Sequence, residues 1–342
     1  MTLKLSFRDL NARQKAFWNK ACIHPPNCDE SMESMQEMVE RFQKNPANLS
    51  RAFRTRTPLS EALRVGHTKC ADFIIKNHTD RSTLISLKDM LQYGMDAPED
   101  KFRGILEVLI KNNVLDLSRV NDTDEFREAV GAAFSVIAEQ ERLDALQCMV
   151  EAGIPFDPPN SLKRNTPLTD TIVYASPSCY KYLLLAGAKN RVCFVPDDEE
   201  GNENGVKAEC PIPIALILTI LTYFVCKPEL LIPMLKIFKE FGGNLWARAE
   251  RDFKSEILFA MDDAQEKTCK AGQNVLDFLK SNPDLLAKFP AGTIEELQQL
   301  MATPLSLVEL ARVQIVQTLG KDYLRSIPHL WIPRELKKFL EF

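Results

Sequence analysis

Apolar residues recur along this chain in short helical patches that come in pairs. In TPLSEALRVGHTKCADFIIKN, residues 57–77, one such patch is broken at Gly66 and His67 and a second apolar helix follows. TPLTDTIVYASPSCYKYLLLAGA, residues 166–188, repeats that order. Thr-Pro-Leu suits a helix start: Thr57 or Thr166 can cap free backbone N–H groups, and Pro58 or Pro167 takes the first helical position, where a missing N–H does no harm. The ends of the second helices can be followed as ERFQKN (40–45), FIIKNH (73–78), VLIKNN (108–113), CMVEAG (148–153), LLLAGA (183–188), IFKEFG (237–242) and DFLKSN (277–282). The steps lie mostly between 32 and 40 residues, with one of over 50. Gly153, Gly187 and Gly242 fall where a left-handed residue lets the chain turn after a helix. Neither helix of a pair can bury its apolar face alone, so stacked pairs sharing one core are expected, an all-α helical solenoid.

The long step contains RVCFVPDDEEGNENGVKAEC, residues 191–210, acidic and rich in Gly and Asn, which reads as a loop inserted between units. TPLSEALRVGH resembles the Thr-Pro-Leu-His-x-Ala-x-x-x-Gly-His pattern of ankyrin repeats, with Ser60 in place of the His, and LLLAGA resembles their second-helix ending. The units near 83–114, 125–154 and 211–243 lack the Thr-Pro-Leu start, so the count stays open between five and seven, and a generic helix-pair solenoid is the alternative. The expected organisation is an N-terminal helical cap or degenerate repeat over 1–50, ankyrin repeats over 51–190, the acidic loop over 191–210 and further degenerate repeats over 211–300.

TPLS returns at 303–306, but no Gly-His break follows it. Leu307, Leu310, Ala311, Ile315 and Leu319 lie at helical spacing, and Gly320 ends the stripe. After DYLRSI come Pro328, Leu330, Trp331, Ile332 and Pro333, then an amphipathic RELKKFLEF. Residues 303–342 closely resemble a SOCS box of three helices. Ser306, Leu307, Ala311, Arg312 and Ile315 hold the places of its Ser/Thr/Pro-Leu-x-x-x-Cys-Arg-x-x-Ile opening. Leu319 and Gly320 match its Leu-Gly, and Leu330, Trp331, Ile332, Pro333, Leu336, Lys337, Phe339 and Leu340 follow its Leu-Pro-apolar-Pro-x-x-Leu-Lys-x-Phe/Tyr-Leu ending. Ala311 stands where Cys is usual and Trp331 where Pro is usual.

Repeats followed by this box resemble the ankyrin repeat and SOCS box family. The resemblance implies a substrate receptor of a ubiquitin ligase, with no bond chemistry of its own. Leu307, Leu310, Ala311, Ile315 and Leu319 would insert into elongin C, which pairs with elongin B. Leu330, Trp331, Ile332 and Pro333 would select cullin-5, and the repeats would hold an unidentified protein substrate. The competing expectation is an ankyrin scaffold that binds a protein and recruits no ligase.

Composition narrows the field from the other side. A net charge of -4 gives no basic field for nucleic acid. The charged start MTLKLSFRDLNARQKAFWNK lacks the apolar run of a secretory signal, so an intracellular, cytoplasmic chain is expected, with its nine cysteines as thiols. Ile212 to Cys226 is intensely apolar but short of the roughly 20 residues a membrane-spanning helix needs, and a buried repeat helix is expected there. No phosphate loop, His-Glu-x-x-His or Gly-x-Ser-x-Gly occurs; a cysteine nucleophile is the enzyme reading that the sequence leaves open. Cys22, His24 and Cys28 lack a second pair at zinc-site spacing, so no metal or other cofactor is expected. His67 is expected to close a turn, and Asp197, Asp198, Glu199 and Glu200 to be a solvated loop able to meet a basic substrate. Arg51, Arg54 and Arg56 are expected on exposed turns and helices.

Overall fold

The computed structural model describes residues 58–77, 86–117, 124–156, 166–188, 212–220, 227–250, 252–258, 264–320, 323–330 and 332–341. The expected cap over 1–50 and acidic loop over 191–210 lie outside the described residues. So do Cys22, His24, Cys28, Arg51, Arg54, Arg56, Asp197, Asp198, Glu199, Glu200 and Trp331. The chain divides into two compact units, 1–137 with 144–154, and 138–143 with 155–342.

Among the described residues the first unit holds α1 (Pro58–Val65), α2 (Thr68–Asn77), α3 (Leu87–Met95), α4 (Glu99–Lys111) and all but the facing ends of α5 (Asp124–Glu139) and α6 (Leu143–Glu151). Leu59, Ala62 and Leu63 on α1, Ala71, Ile74 and Ile75 on α2, and Phe102, Ile105, Leu106 and Leu109 on α4 are buried at the spacing of one helical stripe. α1 packs on α2 within its pair and on α3 of the next, while α2 packs on α4. First helices thus stack on first helices and second on second, which is the construction of a solenoid. Asp72 of α2 accepts from Asn112 Nδ2 at 2.7 Å just beyond α4, a polar tie between the second helices. His67 stands in the turn between α1 and α2, where its backbone N–H donates to Ala62 O at 2.8 Å and its carbonyl accepts from Ala71 N at 3.0 Å.

The second unit repeats the scheme with α7 (Pro167–Val173), α8 (Pro177–Leu185), α9 (Ile212–Ile220) and α10 (Leu231–Glu240). α7 packs on α9 and α8 on α10. Thr166 caps α7 as its sequence predicts, its hydroxyl oxygen accepting from Thr169 N at 3.2 Å. The turn glycines behave alike: after α6, α8 and α10, Gly153, Gly187 and Gly242 take φ of 83°, 93° and 80°. Asn113, at φ 54°, does the same after α4. Ile212, Ile214, Ala215, Leu216, Ile217 and Ile220 are all buried, which accounts for a nine-residue helix apolar on every side. Among the described residues no helix is long and apolar enough to cross a membrane.

Two features depart from the sequence reading of 211–300. First, β1 (Phe253–Leu258) and β2 (Ala264–Cys269) form an antiparallel hairpin, with Phe253 opposite Cys269 and Leu258 opposite Ala264. Beyond Phe253 and Ile257, FKSEIL and AQEKTC carry no sustained apolar stripe at helical spacing, so little favours a helix there. Second, DFLKSN does not end a second helix. α11 (Val275–Lys280) packs on α9, whereas α13 (Thr293–Ala302) packs on α10, so α11 is a first helix and α13 is its partner, with α12 (Pro283–Leu286) between them. Asn274 begins α11 with a capping box, its Oδ1 accepting from Leu276 N at 3.0 Å and Asp277 N at 2.9 Å. Among the described residues the fold is all-α apart from the hairpin, and the last helices are α14 (Leu307–Leu319), α15 (Tyr323–Ser326) and α16 (Arg334–Glu341).

Candidate functional site

The two TPLS copies start helices in different frames. At 57–60 the helix begins on Pro58, and Ser60 lies inside it, buried. At 303–306 the helix begins only at Leu307; Pro304 and Leu305 precede it and Ser306 is the cap. Its hydroxyl oxygen accepts from Glu309 N at 3.2 Å, and Ser306 N donates to Glu309 Oε2 at 2.6 Å, a reciprocal capping box. Hydrogen bonds from Ser306 hold the Glu309 carboxyl below its ordinary range.

α14 is apolar on two sides and only one of them is covered. Arg312, Val313 and Val316 are buried against the rest of the unit. A Cβ placed on Gly242 would lie 2.8 Å from Val313 Cγ1, so the inner face comes close to the turn that ends α10. Arg312 lies in the fields of Tyr323, Glu240 and Glu309, and burial pulls its guanidinium below its ordinary value. The outer face is open. Leu307 is 84% exposed, Val308 51% and Leu310 48%, and Ala311 is exposed beside them. Ile315 and Leu319, further along the predicted stripe, are half-buried. Sequence reasoning passed over Val308, which lies between Leu307 and the Leu310–Ala311 step; the fact that α14 is apolar on both sides was the available sign.

The remaining two helices close the box. Tyr323 is fully buried and its hydroxyl donates to Leu340 O at 2.6 Å, joining α15 to α16. Burial pushes the Tyr323 phenol up to about 12, with Arg312 opposing the shift. A 3₁₀ turn over Ile327–His329 follows α15, and Lys337 Nζ donates to Pro328 O at 2.7 Å. Of the predicted cullin-binding segment, Leu330 and Ile332 are half-buried and Pro333 is exposed. The same turn and α16 flank all three.

α14 is a capped helix with an apolar face of a little over one turn, Leu307 to Ala311, open to solvent, and a helix-in-groove partner is read through such anchors. Fully burying each leucine side chain would contribute roughly 1.5–3 kcal/mol.

What fold and site define together is a helix-pair repeat protein that ends in a SOCS box. Residues 303–341 match the SOCS box family model. No curated protein matches the chain. The SOCS box is an adaptor motif for elongin B/C and cullin, so the chain has, in coarse terms, the terminal module of a ubiquitin-ligase substrate receptor. The matched residues do not reach the repeats.

Proposed function

We propose that this chain is the substrate-recognition subunit of an elongin B/C–cullin-5 RING ubiquitin ligase, acting in the cytoplasm without a catalytic group of its own. The observation that carries the reading is the open face of α14, Leu307, Val308, Leu310 and Ala311, on a helix whose other side is already packed. Four neighbouring apolar side chains exposed on the first turns of a capped helix form the kind of surface a partner's groove can take up. The match to the SOCS box family supports elongin B/C as the kind of partner, and elongin C is the subunit read onto this face.

In this reading Leu307, Ala311 and Ile315 are the i, i+4 and i+8 anchors. The smaller Ala311 weakens the contact by about 1 kcal/mol relative to a cysteine at that place. Leu330, Trp331, Ile332 and Pro333 meet cullin-5, and Trp331 in place of proline makes that contact weaker. Titration of the elongin-loaded wild type and Trp331→Pro against cullin-5 checks this, and equal affinities would refute it. The repeats, read as ankyrin units, hold the target protein. Holding it on the same chain as the box raises the effective concentration of its lysines near the loaded ubiquitin.

The deciding experiment is capture of purified elongin B/C by the full chain beside Leu307→Asp. Binding by the wild type and its loss in the variant is the expected result. Leu307 is 84% exposed, so the substitution leaves the fold intact. Failure of the wild type to bind would leave a repeat scaffold that recruits no ligase.

A further inference from the structure

The end of α10 and the turn after it approach α13 and α14 at several points. Lys239 Nζ donates to Leu300 O at 2.8 Å and also to Thr303 O, occupying the open carbonyls at the end of α13. Thr303 Oγ1 donates to Gln299 O at 2.8 Å in the same turn. The Lys239 ammonium also acts on Glu309, the acid of the α14 capping box, and helps keep that carboxylate charged. Further along, Glu240 lies in the field of Arg312, and Gly242 faces Val313. Glu309 and Val313 are one helical turn apart, so α14 is referred to α10 at two points along its axis. Two such points set both the direction of a helix and its rotation.

We propose that Lys239 is a positioning residue for the partner-binding helix. It ties the turn between α13 and α14 to α10, so that Leu307, Val308, Leu310 and Ala311 face in one fixed direction. This rests on the ligase reading for its consequence: a receptor whose box swings freely would not hold its target at a constant offset from the ubiquitin donor. The surroundings of the ammonium fit a tie better than a core contact. It projects into an open cleft of about 440 Å³ that Lys236, Glu240, Glu296, Gln299 and Glu309 also line. Removing it lets water reach the freed carbonyls, and the fold survives.

The test is amide hydrogen exchange on the full chain alone, comparing wild type, Lys239→Met and Lys239→Arg. Exchange over residues 299–310 is expected to be roughly tenfold faster in Lys239→Met, to keep wild-type rates in α10 and α11, and to recover in Lys239→Arg. Unchanged exchange at 299–310, acceleration spread through α10 and α11, or no recovery with arginine would each overturn the proposal. Titration with elongin B/C is expected to give affinities for wild type and Lys239→Met within about threefold, because a positioning residue touches no partner. Loss of binding in Lys239→Met alone would make Lys239 a contact and overturn it as well. If the wild type itself fails to bind, the ligase reading falls while the exchange result still decides the tie.

Discussion

Gly242 and Val313 approach so closely that a Cβ on the glycine would lie 2.8 Å from Val313 Cγ1. Gly242 also takes φ 80°, which side-chain-bearing residues rarely adopt. Gly242→Ala therefore adds steric overlap to backbone strain and is expected to destabilise the second unit by about 1–3 kcal/mol. Gly272, at φ 83° with nothing near its missing Cβ, is the control, since Gly272→Ala carries the strain alone. Denaturant unfolding of both variants checks the point. Equal midpoints would mean that the Val313 approach contributes nothing.

That contact could not be read from the sequence, although much around it could. Helix pairs, the Thr166 cap and the turn glycines follow from local chemistry, and each is in place. The apolar stripe of α14 was legible too, because helical spacing fixes which residues share a side. Which side faces inward was not: Val313 and Val316 are as apolar as Leu307 and Leu310, and only the neighbouring helices decide between them. Lys239 gave no sign, since a lysine near a helix end is ordinary and its carbonyl partners lie more than 60 residues on. The hairpin was missed because the repeat pattern was extended across a stretch without a stripe. DFLKSN was misplaced because its Asn274–Asp277 start signal was passed over.

Exposure divides the apolar residues of α14 into those that fold it and those left for a partner. Leu310 is 48% exposed and Val316 8%. Leu310→Ala should change stability by less than about 0.5 kcal/mol, while Val316→Ala should cost about 1–2 kcal/mol. Elongin B/C affinity should move in the opposite order, with the larger loss in Leu310→Ala. Thermal unfolding and calorimetric titration of the two variants give the comparison. A Leu310→Ala chain that is less stable than Val316→Ala would reverse the assignment of faces.

Tyr323 supplies the hydrogen bond that joins α15 to α16. Tyr323→Phe keeps the ring and leaves Leu340 O without that donor, at a cost of about 1–2 kcal/mol. The effect should appear as faster amide exchange in α16 with little change in the repeats. The phenol also predicts a pH response. Its folded value is raised to about 12 from an ordinary 10.0, so its contribution is whole below pH 10.0 and is lost as pH rises toward 12. Tyr323→Phe should lack that part of the alkaline loss, and unfolding midpoints measured from neutral to strongly alkaline pH would reveal it.

The cap of α14 responds to acid in the opposite direction. Glu309 is held below its ordinary 4.5 by hydrogen bonds from Ser306, so the stabilisation is present above that value and is lost as pH falls through the depressed folded one. Glu309→Gln keeps an acceptor for Ser306 N but removes the charge at the helix N-terminus, where a negative group is favourable. The variant should be less stable than the wild type at neutral pH, and the gap should close on acidification. Ser306→Ala removes the other half of the box, at a cost of about 1 kcal/mol over the whole range. Leu307 and Leu310 lie in the first turn that this box holds, so both variants should also loosen the exposed anchors. Elongin B/C affinity measured at neutral pH should fall modestly in each. If it stays at the wild-type value while α14 frays in hydrogen exchange, the first turn is not part of the contact, and the anchors lie further along at Ala311 and Ile315.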